Sequence, residues 1–124
     1  MIYHIVAGEE MKKILKDRFL AIPFNEDMSV GSYESEPFSD DFIKERSAVH
    51  GVSANEYRSK LEEFLKFLST VNNNDTIHLY FGDDKVCRAN CKLLIDYLKE
   101  RVSTIYFHLM NEYNGIELSV TKIK

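Results

Sequence analysis

The chain has 124 residues, which suits one domain and is long enough to bury a core without a metal or a disulfide. Lysine and arginine total 16 against 20 aspartates and glutamates, and the basic residues are scattered, which argues against nucleic acid as a partner. No apolar run approaches the roughly 18 residues of a membrane span, and no charged leader precedes the first one. We therefore expect a cytoplasmic protein with no membrane partner.

Apolar runs alternate with helical patterns along the chain. The runs that predict strands are 2–7, 21–24, 76–81 and 104–110. Apolar residues at helical spacing predict four helices, over 9–18, 39–50, 53–71 and 84–101. Except for the weaker run 21–24, the strands are apolar on both faces, as strands are when helices cover both sides of a parallel sheet. Alternation after the Asn114-Gly115 turn predicts a final, half-exposed hairpin strand, within about 104–123.

This order of elements predicts a single α/β domain over 1–124. It is a three-layer α/β/α sandwich whose mostly parallel sheet has the strand order 2-1-3-4-5 and an antiparallel C-terminal edge strand. Ligands of such sheets bind beyond the carboxyl ends of the strands, at the switch point of the strand order. We therefore expect the segments 8–10, 25–27 and 82–84 to converge there. The turn-rich segment 29–37 should lie at the same edge and is the least ordered candidate.

Six carboxylates fall on this predicted rim: Glu9, Glu10, Glu26, Asp27, Asp83 and Asp84. Three of them begin helices, where the dipole favours negative charge, so capping is the preferred interpretation for Glu9, Glu10 and Asp84. Asp27 and Asp83 are better candidates for metal ligands or a general base. Mg²⁺ is a possible ion, since it needs only one or two protein carboxylates.

Arg46 is predicted to face inward. It lies four residues after Phe42 and three before Val49, on the stripe that should meet the core. An inward guanidinium needs an acceptor, and the nearest carboxylates in chain order are Glu26 and Asp27. An arginine that only extends along the core edge is the equally weighted alternative.

The helix that begins after Asp84 places Cys87, Asn90 and Leu94 on its inward face. Asn90 interrupts an apolar stripe and needs partners for both ends of its amide, and we expect it to line one cleft with Asp83. Cys87 is best interpreted as a small buried hydrophobe.

Several side chains of this region are predicted to stay out of that cleft or to carry no chemistry. Arg88 and Lys92 should point away from the cleft, and both cysteines, Cys87 and Cys91, should be reduced and unligated. The histidines suggest no site. His4, His78 and His108 lie within strands, whereas His50 ends a helix, where its charge suits the dipole.

Three segments resemble one bacterial family. HIVAGEE (4–10), PFNEDMSVG (23–31) and LYFGDDKVCRANCKLL (79–94) are similar to members of domain of unknown function 1835 (DUF1835), some of which read W-F-G-x-D-x-F-C-Q-x-N-L in the last segment. The resemblance covers 1–101 and implies an α/β domain, often at the start of longer chains, with no established activity. The chain departs from it at Glu9-Glu10, where relatives tend to read G-D-S, and at Val86, where an aromatic residue is typical.

The resemblance and the orientation of Arg46 together mark a set of ligand-binding candidates. They are Asp27, Ser29, Gly31, Arg46, Gly82, Asp83, Asp84, Cys87 and Asn90. One interpretation is a small-ligand or divalent-metal-dependent site, with hydrolysis as a reaction and Asp27 and Asp83 as the metal ligands. The other is a non-catalytic interaction or regulatory module in which the terminal strand meets another chain, a homodimer being one such assembly. The sequence leaves both open.

Overall fold

A computed structural model describes the whole chain, Met1–Lys124, as five strands and five helices. In chain order these are β1 (Ile2–Val6), α1 (Glu9–Leu15), β2 (Ala21–Pro23), α2 (Asp40–His50), α3 (Ala54–Lys60), α4 (Glu62–Thr70), β3 (Thr76–Phe81), α5 (Lys85–Leu98), β4 (Thr104–Met110) and β5 (Glu117–Lys122). None of the five helices has the length and apolar character that a membrane span requires.

The strands form one mixed sheet in the order β2-β1-β3-β4-β5. The first four run parallel, and β5 pairs antiparallel with β4 across an irregularity at Leu109 and Met110. The predicted fold class, strand order and antiparallel edge are therefore confirmed. The order reverses at β1, whose neighbours are β2 and β3, so the switch point lies where it was expected.

The two faces of the sheet are covered unequally. Helices α2 to α5 bury a core of 18 residues on one face, which includes Ile5 of β1. The short α1 alone packs on the other face, where Met11 and Leu15 contact a six-residue cluster around Val6. Because successive strand residues point to opposite faces, Ile5 faces the layer of α2 to α5 and Val6 faces α1. The part of the second face beyond α1 is left uncovered.

Two predicted elements differ from the structure. The helix expected over 53–71 is divided into α3 and α4 at Leu61, whose φ of −98° and ψ of 12° depart from helical values. Tyr57, Leu61 and Phe64 nevertheless pack in one core cluster, so both helices face the sheet. The final strand was expected to be half-exposed, but all six residues of β5 are exposed. No helix covers either face of this edge strand, so the alternation of its side chains does not produce a buried side.

Candidate functional site

Glu26 is the centre of a buried polar network behind the loop that follows β2. Its side chain has no exposed surface, and both oxygens accept hydrogen bonds from Arg46, through Nε and Nη2 at 3.1 Å each. Tyr57 Oη donates at 2.5 Å and the backbone N–H of Asp27 at 2.7 Å. His50 Nε2 contacts the same carboxylate at 2.5 Å. Five donors thus converge on one carboxylate.

Arg46 holds the loop as well as the carboxylate. Its guanidinium is completely buried and donates to the carbonyls of Asp27 (2.8 Å), Val30 (2.9 Å) and Ser32 (3.3 Å). The predicted contact between Arg46 and Glu26 is confirmed, and Asp27 contributes its carbonyl rather than its carboxylate. The loop therefore wraps around a buried cation.

The stem of Arg46 packs differently from the prediction. Phe42 is completely buried beside it, but Val49 is 40 % exposed and lies against Gly31. Val49 comes near the end of α2, where the helix leaves the core, so only the first half of the expected apolar stripe is buried.

The charges of this network are fixed at neutral pH. Burial would raise the pKa of Glu26, but the hydrogen bonds from Arg46 and Tyr57 outweigh burial and lower this pKa to about 2. Burial and the neighbouring Glu26 carboxylate raise the pKa of Tyr57 far above its ordinary value. For Arg46, burial would lower the pKa, yet the hydrogen bonds with Glu26 raise it. An ionised carboxylate, a guanidinium cation and a neutral phenol therefore coexist.

Asn90 fastens the same loop from the side of α5. It is 1 % exposed, its Nδ2 donates to the Glu26 carbonyl at 2.6 Å, and its Oδ1 accepts from the Met28 N–H at 2.8 Å. The prediction that Asn90 and Asp83 line one cleft is wrong, because the amide is buried beneath the loop and used at both ends. No buried side-chain nitrogen or oxygen of the protein lacks a partner.

The network reaches the surface at His50. The His50 side chain is 24 % exposed, whereas the Glu26 side chain that it contacts is fully buried. His50 lines a cavity of about 290 Å³ at the carboxyl end of β2. The other lining residues are Asn25, Glu26, Asp27, Val52, Tyr57 and Lys60. Neither Lys60 nor Asp27 makes an ion pair, so the cavity offers one free cation and one free carboxylate.

Sequence reasoning missed His50 and Tyr57. A signal for His50 was present, since it follows Arg46 by four residues and so shares the helix face already assigned to the interior. Tyr57 had a weaker signal, since it lies on the apolar stripe of the helix predicted over 53–71, but that stripe does not show which polar group the hydroxyl meets.

The loop candidates Asp27, Ser29 and Gly31 lie together. The Asp27 carboxylate accepts from the Ser29 N–H at 2.9 Å and from the Ser29 hydroxyl, which closes a tight turn. Gly31 has a φ of 65°, in the left-handed region. Asp27 lines the His50 cavity, whereas Ser29 and Gly31 shape the loop behind it.

The candidates after β3 lie apart from this cavity. Asp83 is exposed and accepts from Arg88 Nε at 2.9 Å. Arg88 was predicted to point away from the cleft, and it lines neither of the two cavities at this edge of the sheet. Arg88 lies one turn into α5, close enough to fold back over the start of the helix. Asp84 is the N-cap of α5 and accepts from the Cys87 N–H at 2.9 Å, as the capping interpretation predicted.

A second cavity, of about 300 Å³, opens beside Gly82 between the loops after β3 and β4. Three possible metal ligands meet there, with atoms of Asp84, Cys87 and Glu112 within 4.8 Å of one another. The hydrogen bond between the two carboxyl groups lowers the pKa of Asp84 and raises that of Glu112, and burial raises the pKa of Cys87 to about 12. At neutral pH the thiol is therefore protonated, and a metal ion would have to displace its proton to bind there.

The six carboxylates do not form one rim. Glu26 is buried, Glu9 accepts from Asn25 Nδ2 at 2.9 Å, and Glu10 lies near Lys13 in the first turn of α1. Asp27 and Asp83 are not joined with a third ligand in any group that could hold a metal. The expected rim is divided because each acidic side chain finds a partner on its own or an adjacent element.

The two cysteines are free and buried in α5. Burial raises the pKa of both thiols to about 12, so neither Cys87 nor Cys91 is a thiolate at neutral pH. Of the two cavities, only the one beside His50 combines a buried, ionised carboxylate with a partly exposed imidazole and a free cation. A comparison with known proteins found no family model, no curated protein and no solved structure that matches the chain.

Proposed function

We propose that this domain binds a small polar ligand in the cavity beside His50, at the carboxyl edge of its sheet. The observation that carries the proposal is the buried network of Glu26, Arg46 and Tyr57, which holds the partly exposed imidazole of His50 at the wall of a cavity. A titratable group fixed by buried partners in a concave site is typical of binding and catalytic sites.

The cavity lining indicates what kind of ligand would fit. A volume of about 290 Å³ suits a small molecule of a few functional groups. Lys60 offers a cation, whereas Asn25 and Asp27 offer an amide and a carboxylate. A ligand with one anionic group and neighbouring hydroxyl or amide groups matches this set.

We also propose that the chain is a DUF1835-like bacterial domain and that it resides in the cytoplasm. Two of the three resembling segments, 23–31 and 79–94, meet through the hydrogen bonds of Asn90 to Glu26 and Met28. The contact between these segments supports the view that both resembling motifs belong to one structural unit. Two free, buried cysteines favour a reducing compartment.

Binding can be tested by thermal shift with inorganic phosphate, acetate, adenosine triphosphate, Mg²⁺ and Mn²⁺. A compound present at 100 times its Kd should add about 2.7 kcal/mol of apparent stability. His50→Gln and Lys60→Met should reduce that gain, and Asp83→Asn, which changes the other cavity, should keep it. Loss of the gain in Asp83→Asn alone would move the site to the β3–β4 cavity, and no gain with any compound would count against ligand binding.

A second candidate function is an interaction module. The observation that favours it is β5, an edge strand whose apolar residues Leu118 and Val120 are 60 % and 48 % exposed. An open edge of this kind pairs readily with another strand, and a second copy of the chain is the simplest partner. The mass of the protein in solution distinguishes this candidate from a monomeric ligand-binding domain.

A further inference from the structure

We propose that His50 is the general base of the proposed site, and that it acts on a small ester carrying an anionic group. Glu26 would be its positioning residue. The inference rests on the proposed function for the location of the ligand, but its structural basis is independent of any ligand. It depends on which imidazole nitrogen carries the proton, which nitrogen is open to solvent, and how firmly the ring is held.

The partner of His50 determines its tautomer. An ionised Glu26 carboxylate can only accept hydrogen bonds, so the 2.5 Å contact requires a proton on His50 Nε2. Arg46 Nη2 lies 3.4 Å from the same nitrogen, but a guanidinium N–H is also a donor and cannot satisfy Nε2–H. A neutral imidazole protonated at Nε2 has its lone pair on Nδ1. The fold therefore selects the tautomer in which Nδ1 is the basic atom.

The basic atom is open to solvent. His50 Nδ1 makes no hydrogen bond within the protein, although Nε2 contacts both Glu26 and Arg46. Because no buried side-chain nitrogen lacks a partner, Nδ1 must have accessible surface. The imidazole thus presents a lone pair outward and its N–H inward, at the lining of the cavity.

The ring is held from two directions. Glu26 is itself fixed by Arg46 and Tyr57, so a rotation of the imidazole would leave a buried carboxylate without one of its donors. His50 is also the last residue of α2, and Gly51 closes that helix in a left-handed conformation with its N–H donating to the Ala48 carbonyl at 3.2 Å. A base held in one orientation can act without the cost of ordering it for each reaction.

The reaction would proceed as base-assisted hydrolysis. His50 Nδ1 takes a proton from a water molecule, and the electron pair of the broken O–H bond becomes the new bond from the water oxygen to the acyl carbon. The resulting tetrahedral intermediate expels the alcohol, which receives the proton from the imidazolium. One water is consumed, an acid and an alcohol are formed, and His50 returns to its starting tautomer. Lys60 would attract the anionic group of the ester, since its charge has no ion-pair partner.

The tautomer can be measured on the unliganded wild-type protein by long-range ¹H–¹⁵N correlation of the imidazole rings. We expect His50 to be protonated at Nε2 alone, and Glu26→Gln to give a mixture of tautomers, because an amide side chain can donate as well as accept. A wild-type His50 protonated at Nδ1 would overturn the proposal. This measurement needs no variant of His50 and therefore does not depend on how well such a variant folds.

The base role can be measured with 4-acetoxybenzoate as the probe, an acetate ester that carries one carboxylate. We expect wild type and His78→Gln, a variant of a sheet histidine, to hydrolyse it alike, and His50→Gln to be at least tenfold slower, the low end of what a general base contributes. Equal rates in wild type and His50→Gln would overturn the base role and leave ligand binding intact. Ester hydrolysis lost in His50→Gln, with no compound bound in the thermal-shift screen, would instead support the base role and count against the binding of those compounds.

Discussion

Arg46 and Glu26 form the only ion pair in which neither side chain has exposed surface. Such a pair loses the hydration of both charges, so its net contribution relative to apolar side chains is small. The removal of one partner is a different matter, because the other charge then remains buried and unpaired. The pair therefore fixes the geometry of the loop and of His50 more than it adds to overall stability.

We predict that Arg46→Ala destabilises the protein by about 3–5 kcal/mol, since it leaves the Glu26 carboxylate buried without its cation. The matched control is Arg58→Ala, which removes an exposed pair with Asp40 at 3.0 Å and should cost about 0–1 kcal/mol. Urea denaturation of both variants measures the difference. Similar losses in the two variants would contradict the prediction, because the buried pair would then contribute no more than an exposed one.

The same carboxylate predicts a loss of stability in acid. Its pKa is about 2 in the folded protein against an ordinary 4.5, so the unfolded chain binds a proton first as the pH falls. The contribution of Glu26 is complete above pH 4.5 and is lost as the pH falls from there toward 2. Unfolding free energies measured over this interval should fall more steeply for wild type than for Glu26→Gln. The exposed Glu62→Gln should follow wild type, and an equal slope in Glu26→Gln would contradict the assignment.

The contact between Arg46 and Glu26 could be predicted because helix periodicity fixes which residues share a face. The role of His50 was not predicted, although the same periodicity placed it with Arg46. Its helix-terminal position had a sufficient explanation in the dipole. The contact of Tyr57 with Glu26 joins a helix to a distant loop, and the periodicity of one helix does not specify such a contact. Side chains that meet through irregular backbone are the ones that sequence patterns do not reveal.

At the scale of elements, the segment 29–37 is fastened along its length to α2. Val30 and Ser32 accept hydrogen bonds from Arg46, and the Ser35 N–H donates to the Glu45 carboxylate at 3.1 Å. The segment was predicted to be the least ordered because it is rich in turn residues. Turn residues specify backbone geometry, however, and here that geometry encloses a guanidinium.

Gly31 is the residue of this segment that tolerates substitution least. Its φ is 65°, and a β-carbon there would lie 2.6 Å from two carbons of Val49. We predict that Gly31→Ala costs about 1–3 kcal/mol, the range for a residue held in a sparsely populated backbone region. Gly51→Ala is the control, since it has a φ of 67° but no atom within 4 Å of the added carbon. Equal losses of stability in the two variants would show that the contact with Val49 contributes nothing. If Val49→Ala restores part of the stability lost in Gly31→Ala, that part is the cost of the contact.

The uncovered part of the sheet carries a row of rings across three strands. The ring of His4 in β1 stacks on the ring of Phe19, with 4.1 Å between their centroids, and its centroid lies 5.2 Å from that of His78 in β3. His78 Nδ1 contacts His108 Nε2 of β4 at 2.7 Å, and His108 Nδ1 contacts Glu117 of β5. Each histidine looked unremarkable in sequence, because the alternation within a strand does not show which residues face each other across strands.

This row of rings predicts a second pH dependence, near neutrality. Burial and the neighbouring imidazoles lower the pKa of His4 and His78 below 6.5, although Glu117 partly opposes the shift at His78. The unfolded chain therefore binds protons first, and stability should fall as the pH drops through 6.5 until the lowered values are reached. Unfolding free energies on either side of pH 6.5 should differ less in His4→Gln than in wild type. A wild-type stability that does not change across this interval would contradict the shift.

At the scale of the whole molecule, the order of the sheet followed from two simple rules. Apolar runs on both faces predicted parallel strands, and right-handed crossovers on opposite sides of β1 predicted the position of the switch point. Neither rule predicts how long a helix will be. The seven-residue α1 is too short to cover the face that it packs on, and the edge strand β5 lies beyond all helices. The area of a sheet that a helix layer covers depends on the length and placement of the helices. Sequence periodicity does not determine either closely.

The uncovered edge leads to the last prediction, that the chain forms a dimer through β5. A two-fold axis perpendicular to the sheet would pair two copies of β5 antiparallel, and would place residues of the same face opposite each other. Leu118 and Val120 would then meet their counterparts across the axis, and both sheets would continue as one. Such pairing satisfies the open backbone edge and removes two exposed apolar side chains per copy from water.

Light scattering during size-exclusion chromatography measures the mass, which should be twice 14.5 kDa for wild type. Val120→Lys should give a monomer, because two lysines would face each other near the axis. The control is Leu20→Lys, which changes an exposed apolar residue just before β2, at the opposite edge of the sheet, and should leave the dimer intact. A monomeric wild type would refute pairing at β5, and a monomer produced by Leu20→Lys would place the interface at the β2 edge. A dimer that persists in Val120→Lys would exclude a pairing that places the two copies of residue 120 opposite each other, since like charges directly opposite each other destabilise a strand pair.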